Sequence, residues 1–120
     1  MTEIEFRSLK VGMNVFRTYM QGPVICKVSG IENGVARIYE VVPVKNAFLG
    51  TLDINNSKRW FLTMVEALED EIKSLDRQIE DRTLDDELRQ KFIACRKRNE
   101  ILLKRAIEKR QEKEKGNEKP

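Results

Sequence analysis

The 120-residue sequence contains no histidine, the residue most often used for acid–base catalysis near neutral pH and for zinc binding. Its two cysteines, Cys26 and Cys95, lie too far apart in the chain to form the closely spaced ligand pair of a zinc site. The glycine-rich and serine motifs that indicate nucleotide binding or hydrolysis are also missing. We therefore predict a protein that is not an enzyme and that uses no metal or other cofactor.

Long apolar runs are missing too. None approaches the ~20 residues that a membrane-spanning helix needs, and the N-terminal residues lack the basic and apolar regions of a secretory signal. These absences predict a cytoplasmic protein with no membrane partner. In that compartment both cysteines are expected to be reduced.

The N-terminal half has strand chemistry. Short runs of β-branched and aromatic residues are separated by turn residues, and they cover positions 11–19, 24–31, 35–42, 47–54 and 58–62. Asn33-Gly34 between two of these runs is a strong hairpin signal, because both residues tolerate positive φ. Five strands this short cannot form a large sandwich, so we predict a small, strongly bent five-stranded β-barrel over residues 1–62.

The segments LKVGMNVF (9–16) and GPVICKVSGIENGVARIYEV (22–41) resemble the opening of small barrels of the Tudor, KOW and CarD-like kind. In those barrels an early G-x-x-V pattern, here Gly12 to Val15, starts the first strand and a hairpin follows. Members of such families bind RNA polymerase, ribosomal RNA or peptides. The resemblance implies the fold of the N-terminal domain.

The sequence changes character at residue 63, where Thr63-x-x-Glu66 forms the pattern of a helix capping box. Apolar residues then recur at alternating spacings of three and four, as in a helix that packs on another helix: Val65, Leu68, Ile72, Leu75 and Ile79. A second seam runs through Leu88, Phe92, Cys95, Asn99, Leu102 and Ala106. We predict helices over about residues 63–81 and 84–112, followed by a disordered tail at 113–120.

Charge separates the two helical segments. Residues 62–88 carry ten acidic and three basic residues, a net charge of −7, whereas residues 89–120 carry twelve basic and five acidic residues, a net charge of +7. Each segment would repel a copy of itself and attract the other. We therefore expect an antiparallel coiled-coil hairpin with its tip near residues 82–85. Together the patterns predict an α+β chain, a small β-barrel followed by a long helical hairpin.

Three groups of residues are candidates for function. Loop residues of the β domain combine aromatic, basic and flexible side chains, which is typical of sites that grip a peptide or stack a base: Arg17, Tyr19, Met20 and Trp60. The basic patch Arg96, Lys97 and Arg98 is a candidate contact for nucleic acid. The apolar residues Ile101, Leu103 and Ile107 are candidates for a contact between domains or between subunits.

The composition and these candidates favour an interaction protein. We predict an adaptor or regulator that binds a larger protein or nucleoprotein machine, as a bacterial or phage accessory protein or inhibitor would. Two alternatives remain open: a nucleic-acid-binding protein that uses the barrel loops and the basic second helix, and a structural homo-oligomer built through the apolar end of that helix.

Overall fold

The computed structural model describes residues 1–19, 22–43 and 47–118, with side chains at 1–19, 22–43 and 49–112. The chain forms two compact units, Met1–Ala67 and Leu68–Pro120. The first unit contains a β-sheet and a short N-terminal helix, and the second contains most of the long helices. Among the described residues, no helix has both the length and the apolar character needed to cross a membrane.

The sheet of the first unit has four antiparallel strands: β1 (Asn14–Tyr19), β2 (Gly22–Glu32), β3 (Val35–Val42) and β4 (Ala47–Leu52). Their spatial order is the same as their order in the chain, β1-β2-β3-β4. The sheet is open, so the predicted closed five-stranded barrel is wrong. The α+β class of the prediction is correct.

The predicted fifth strand does not form, because side-chain hydrogen bonds turn the chain directly after β4. The carboxylate of Asp53 accepts hydrogen bonds from the backbone N–H groups of Asn55 (2.8 Å) and Asn56 (2.9 Å). The Asn56 side chain in turn accepts from the Asp53 N–H at 2.7 Å. Such local bonds compete with a strand ladder. Asn56–Arg59 consequently forms a 3-10 helix, and only Phe61 remains to pair with β1, as an isolated bridge to Phe16.

The predicted hairpin at Asn33-Gly34 is confirmed. Both residues have positive φ, 52° for Asn33 and 74° for Gly34, as a tight two-residue turn between twisted strands requires. Glu32 and Val35 face each other directly on either side of the turn. Local turn chemistry therefore sets the register of β2 and β3 next to the turn, and the register shifts farther along, between Val28 and Gly30 and between Ile25 and Cys26.

A helix at the N-terminus, α1 (Glu3–Arg7), was not predicted from the sequence. It begins at a capping box in which the Thr2 hydroxyl accepts from the Glu5 N–H and the Glu5 carboxylate accepts from the Thr2 N–H. The Thr2 N–H lowers the pKa of Glu5. Phe6 of α1 joins the apolar core of the first unit, which consists of Met1, Phe6, Leu9, Val15, Cys26, Val28, Ala36, Ile38, Leu52 and Trp60. The Met1 ammonium donates to the carbonyls of Ser57 and Trp60.

The two long helices are α2 (Met64–Ile79) and α3 (Asp86–Glu118), compared with the predicted ranges of about 63–81 and 84–112. The Thr63 hydroxyl accepts the Glu66 N–H at 3.2 Å before α2, as the capping-box pattern predicts. The helix α3 extends to Glu118 and so includes positions predicted to be a disordered tail. Residues 119 and 120 lie outside the described residues.

The turn between α2 and α3 is held by Arg89. Its guanidinium donates to the carbonyl oxygens of Ile79 (3.2 Å) and Asp81 (2.9 Å), and it pairs with the carboxylate of Asp86 at 2.9 Å. Further along, Arg96 of α3 forms an ion pair with Asp76 of α2. The Arg96–Asp76 pair joins an acidic residue of α2 to a basic residue of α3, and the two helices form a hairpin-like element within the second unit.

Candidate functional site

A cavity of about 260 Å³ lies in the first unit beside the two edge strands of the sheet. Residues of β1, β3 and β4 form its walls, and residues that follow β4 complete it. We call it the Arg17 cavity, and its lining residues are Arg17, Tyr19, Ile38, Leu49, Gly50, Thr51, Leu52, Asn56 and Trp60. Three of the four residues predicted to bind a partner are therefore neighbours around one cavity.

The strand geometry explains why these three meet. Arg17 and Tyr19 are two positions apart in β1, so they lie on the same face of the strand. The antiparallel bridge between Phe16 and Phe61 is closed by two hydrogen bonds of 2.8 and 2.9 Å, and it brings Trp60 level with Arg17. This isolated bridge, the one part of the predicted fifth strand that pairs with β1 in the described structure, thus positions Trp60.

The charge of the cavity comes from Arg17. Its guanidinium carbon lies 4.3 Å from the centre of the Tyr19 ring and 6.0 Å from that of Trp60, which is within the range of cation–π attraction. No acidic residue lines the cavity, and no described carboxylate forms an ion pair with Arg17. The aromatic rings orient the guanidinium but leave its N–H donors available for an acceptor.

Arg17 and Tyr19, which were predicted to be loop residues, lie in strand β1. Trp60 is only 4% exposed and belongs to the core, so its ring forms the floor of the cavity. Tyr19 and Arg17 are half-buried at the rim. Met20, the fourth predicted residue, lies outside the described residues.

Sequence reasoning missed the β4 side of the cavity, namely Leu49, Gly50, Thr51 and Asn56. Two signals were present. Gly50 interrupts a strand pattern, which indicates either a bulge or the close approach of another backbone, and β4 does have a register shift at this point. Asn56 lies four residues after the end of the strand, and its side chain donates to the Thr51 carbonyl at 3.0 Å.

The basic patch of α3 is divided by its ion pairs. Arg96 contacts the carboxylates of Asp76 and Glu100, and Arg98 is half-buried. Lys97 is exposed. The three cations therefore do not form a continuous surface of free charge.

The three apolar candidates of α3 do not share one helix face. Leu103 and Ile107 are four positions apart and line a shallow depression with Glu100, Lys104 and Glu108. Ile101 is two positions before Leu103, so it points to the opposite side of the helix, where it is 55% exposed.

Three other features of the described residues bear on chemistry. A second concave surface of about 410 Å³ at the β2–β3 hairpin is lined by side chains of both charges, Glu32 and Arg37, beside Ile31. Among the described residues, no group of three or more acidic or cysteine side chains could hold a metal ion. Burial raises the pKa of Cys26 to about 12, with a smaller contribution from the Glu40 carboxylate, so its thiol is unreactive at neutral pH.

Comparison of the chain with protein-family models, with curated proteins and with solved structures finds no match. The geometry and charge of the Arg17 cavity are therefore the observations that bear on function.

Proposed function

We propose that this chain is a non-enzymatic adaptor or regulator whose first unit binds a segment of a larger protein in the Arg17 cavity. One observation carries the proposal: a guanidinium held against the Tyr19 ring, without a carboxylate partner among the described residues, at the rim of a cavity floored by Trp60. Arginine and aromatic residues are the usual energetic anchors of protein interfaces.

The size of the cavity favours a binding role. At about 260 Å³ it is smaller than the ~300–1,000 Å³ of sites that enclose cofactors or drug-sized ligands. It suits one or two amino-acid side chains of a larger partner. Its lining contains one charged group and no pair of titratable groups that could exchange a proton with a substrate.

The ion pairs and apolar residues of the second unit also favour the first unit as the part that binds a partner. A nucleic-acid interface on the basic patch would need neighbouring free cations, but Arg96 already contacts two carboxylates and only Lys97 of the three is exposed. A homo-oligomer built through α3 would need a continuous apolar face, but Ile101 lies on the opposite side from Leu103 and Ile107. The first unit is therefore the stronger candidate for contact with a partner.

The test selects peptides that bind the purified chain from a random peptide library displayed on phage. The chain has a single tryptophan, so its fluorescence reports on the Arg17 cavity alone. We expect selected peptides to change this fluorescence, and Arg17→Gln or Tyr19→Ala to weaken their binding about thirtyfold, as loss of an interface anchor does.

Two variants serve as controls. Arg37→Gln removes another exposed arginine of the same sheet, and the triple change of Arg96, Lys97 and Arg98 to alanine removes the basic patch of α3. Both should bind the peptides as the unchanged chain does, with folding verified by circular dichroism. If only the triple variant loses binding, or if single-stranded polythymidylate binds and the peptides do not, the proposal is wrong.

A further inference from the structure

We infer that the partner segment binds as an extended strand along the outer edge of β4 and places an acidic side chain on Arg17. This inference rests on the proposed function, because it specifies which kind of protein segment the Arg17 cavity accepts. It follows from three features of the cavity: the four consecutive β4 residues that line one wall, the free edge of β4, and the charge opposite that edge.

One wall of the cavity is formed by four consecutive residues of β4, Leu49 to Leu52. Successive side chains of a strand point to opposite faces, so a cavity that touches all four reaches the strand's edge. Gly50 carries no side chain there, and a methyl group added to it would meet no other atom within 4 Å. The backbone at Gly50 is therefore not covered by other side chains of the first unit.

The outer edge of β4 has unused hydrogen-bonding groups. In the described part of the sheet, β4 has a neighbouring strand on one side only, β3. The Thr51 carbonyl accepts from the Asn56 side chain and so points away from β3. Since the N–H and C=O of one residue in an antiparallel ladder point to the same side, the Thr51 N–H faces the open edge as well. An added strand could accept from this N–H.

The charge on the far side of the cavity selects the side chain of the added strand. Arg17 lies across from β4, and its guanidinium is oriented by Tyr19 at 4.3 Å. A planar guanidinium with free donors binds a carboxylate through two parallel hydrogen bonds. Aspartate or glutamate on the bound strand meets this requirement, while exposed Leu49 provides an apolar contact for a neighbouring residue. Strand addition supplies affinity, and the pocket supplies selectivity.

The experiment uses the peptides selected from the random phage library and the 120-residue chain. We expect them to share an aspartate or glutamate flanked by β-branched or aromatic residues. Changing that acid to its amide should weaken binding about tenfold or more, and the same change should have little effect on the Arg17→Gln variant. Methylating single backbone amides of the peptide should weaken binding at alternate positions, because amides of an added strand face β4 alternately and a methyl group on one that does would hold the two backbones apart.

The outcomes separate the two proposals. Peptides that bind at Trp60 without a shared acid, or whose binding tolerates methylation at every amide, would overturn this inference and leave the proposed adaptor function intact. A library that yields no peptide able to change Trp60 fluorescence would overturn both. Retained binding by Arg37→Gln is the matched control for loss of a positive charge from the sheet.

Discussion

Replacing Asn99 by leucine is expected to stabilise the second unit. Asn99 is 1% exposed, and neither its side-chain nitrogen nor its oxygen has a hydrogen-bond partner. It occupies a position in the apolar seam of α3, four residues after Cys95 and three before Leu102. Counted from the contact of Arg96 with Asp76 in antiparallel helices, Asn99 lies level with Ile72 and Lys73 of α2.

The size of the effect follows from the missing hydrogen bonds. A buried polar group without a partner costs about 1–3 kcal/mol, and leucine, with a branched side chain of nearly the same shape, carries no such cost. Imperfect packing of the new side chain subtracts up to about 1.5 kcal/mol. We therefore expect the free energy of unfolding to rise by about 1–2 kcal/mol, which corresponds to a melting temperature roughly 5–10 °C higher for a unit of this size.

The assay is urea and thermal unfolding followed by far-ultraviolet circular dichroism, with the mass measured by sedimentation. Lys97→Leu is the matched control, because Lys97 is exposed and leucine there should gain little stability. Unfolding of Asn99→Leu at the same or a lower urea concentration than the unchanged chain would refute the expected rise in the free energy of unfolding. That result would mean that the Asn99 amide is hydrogen-bonded in solution. The mass should stay unchanged, although a polar residue in a helix seam can specify the number of partners.

Three further predictions concern the helix turn and the thiols. Arg89→Ala should lower the melting temperature of the second unit by removing two hydrogen bonds to the carbonyls of Ile79 and Asp81, as thermal melts would show. Hydrogen bonds from the Thr83 hydroxyl and, to a smaller extent, from the Thr83 backbone N–H lower the pKa of the Asp81 carboxylate below its usual 3.8. The stabilisation of the fold by these two hydrogen bonds is therefore complete above pH 3.8 and is lost as the pH falls below it. Asp81→Asn should accordingly show a shallower acid-induced loss of helix. Titration of the native chain with a thiol reagent should modify half-buried Cys95, whereas Cys26 should react only after unfolding. Rapid reaction of both thiols would show that the first unit opens readily.

Local sequence patterns were sufficient for much of the fold. Four of the five predicted strand runs coincide with strands to within a few residues, and Asn33-Gly34 forms the predicted turn. The capping hydrogen bond at Thr63 was also predicted. These features depend on backbone preferences and hydrogen bonds within a few residues of each other, which a single sequence records directly. The Thr2-x-x-Glu5 capping box was equally visible but was not recognised.

The candidate site was predicted only in part. Arg17, Tyr19 and Trp60 were chosen for their side-chain chemistry, but no pattern predicted that Phe61 would bridge to Phe16 and so bring Trp60 level with Arg17. The β4 wall of the cavity was missed for the same reason, because its contacts join residues distant in the chain. Trp60 forms the floor of the cavity because its side chain is buried. Three-dimensional packing decides that burial.

Composition and periodicity alone established that the chain combines a strand-rich half with two long helices of opposite charge, since these properties follow from the order of residue types. Only the tertiary structure decided whether the sheet closes. The competition between a strand ladder and the hydrogen bonds of Asp53 and Asn56 is settled by side-chain geometry after β4. It likewise decided which cations remain free: Arg96 is neutralised by carboxylates in the folded chain, whereas Arg17 faces only aromatic and neutral neighbours around its cavity.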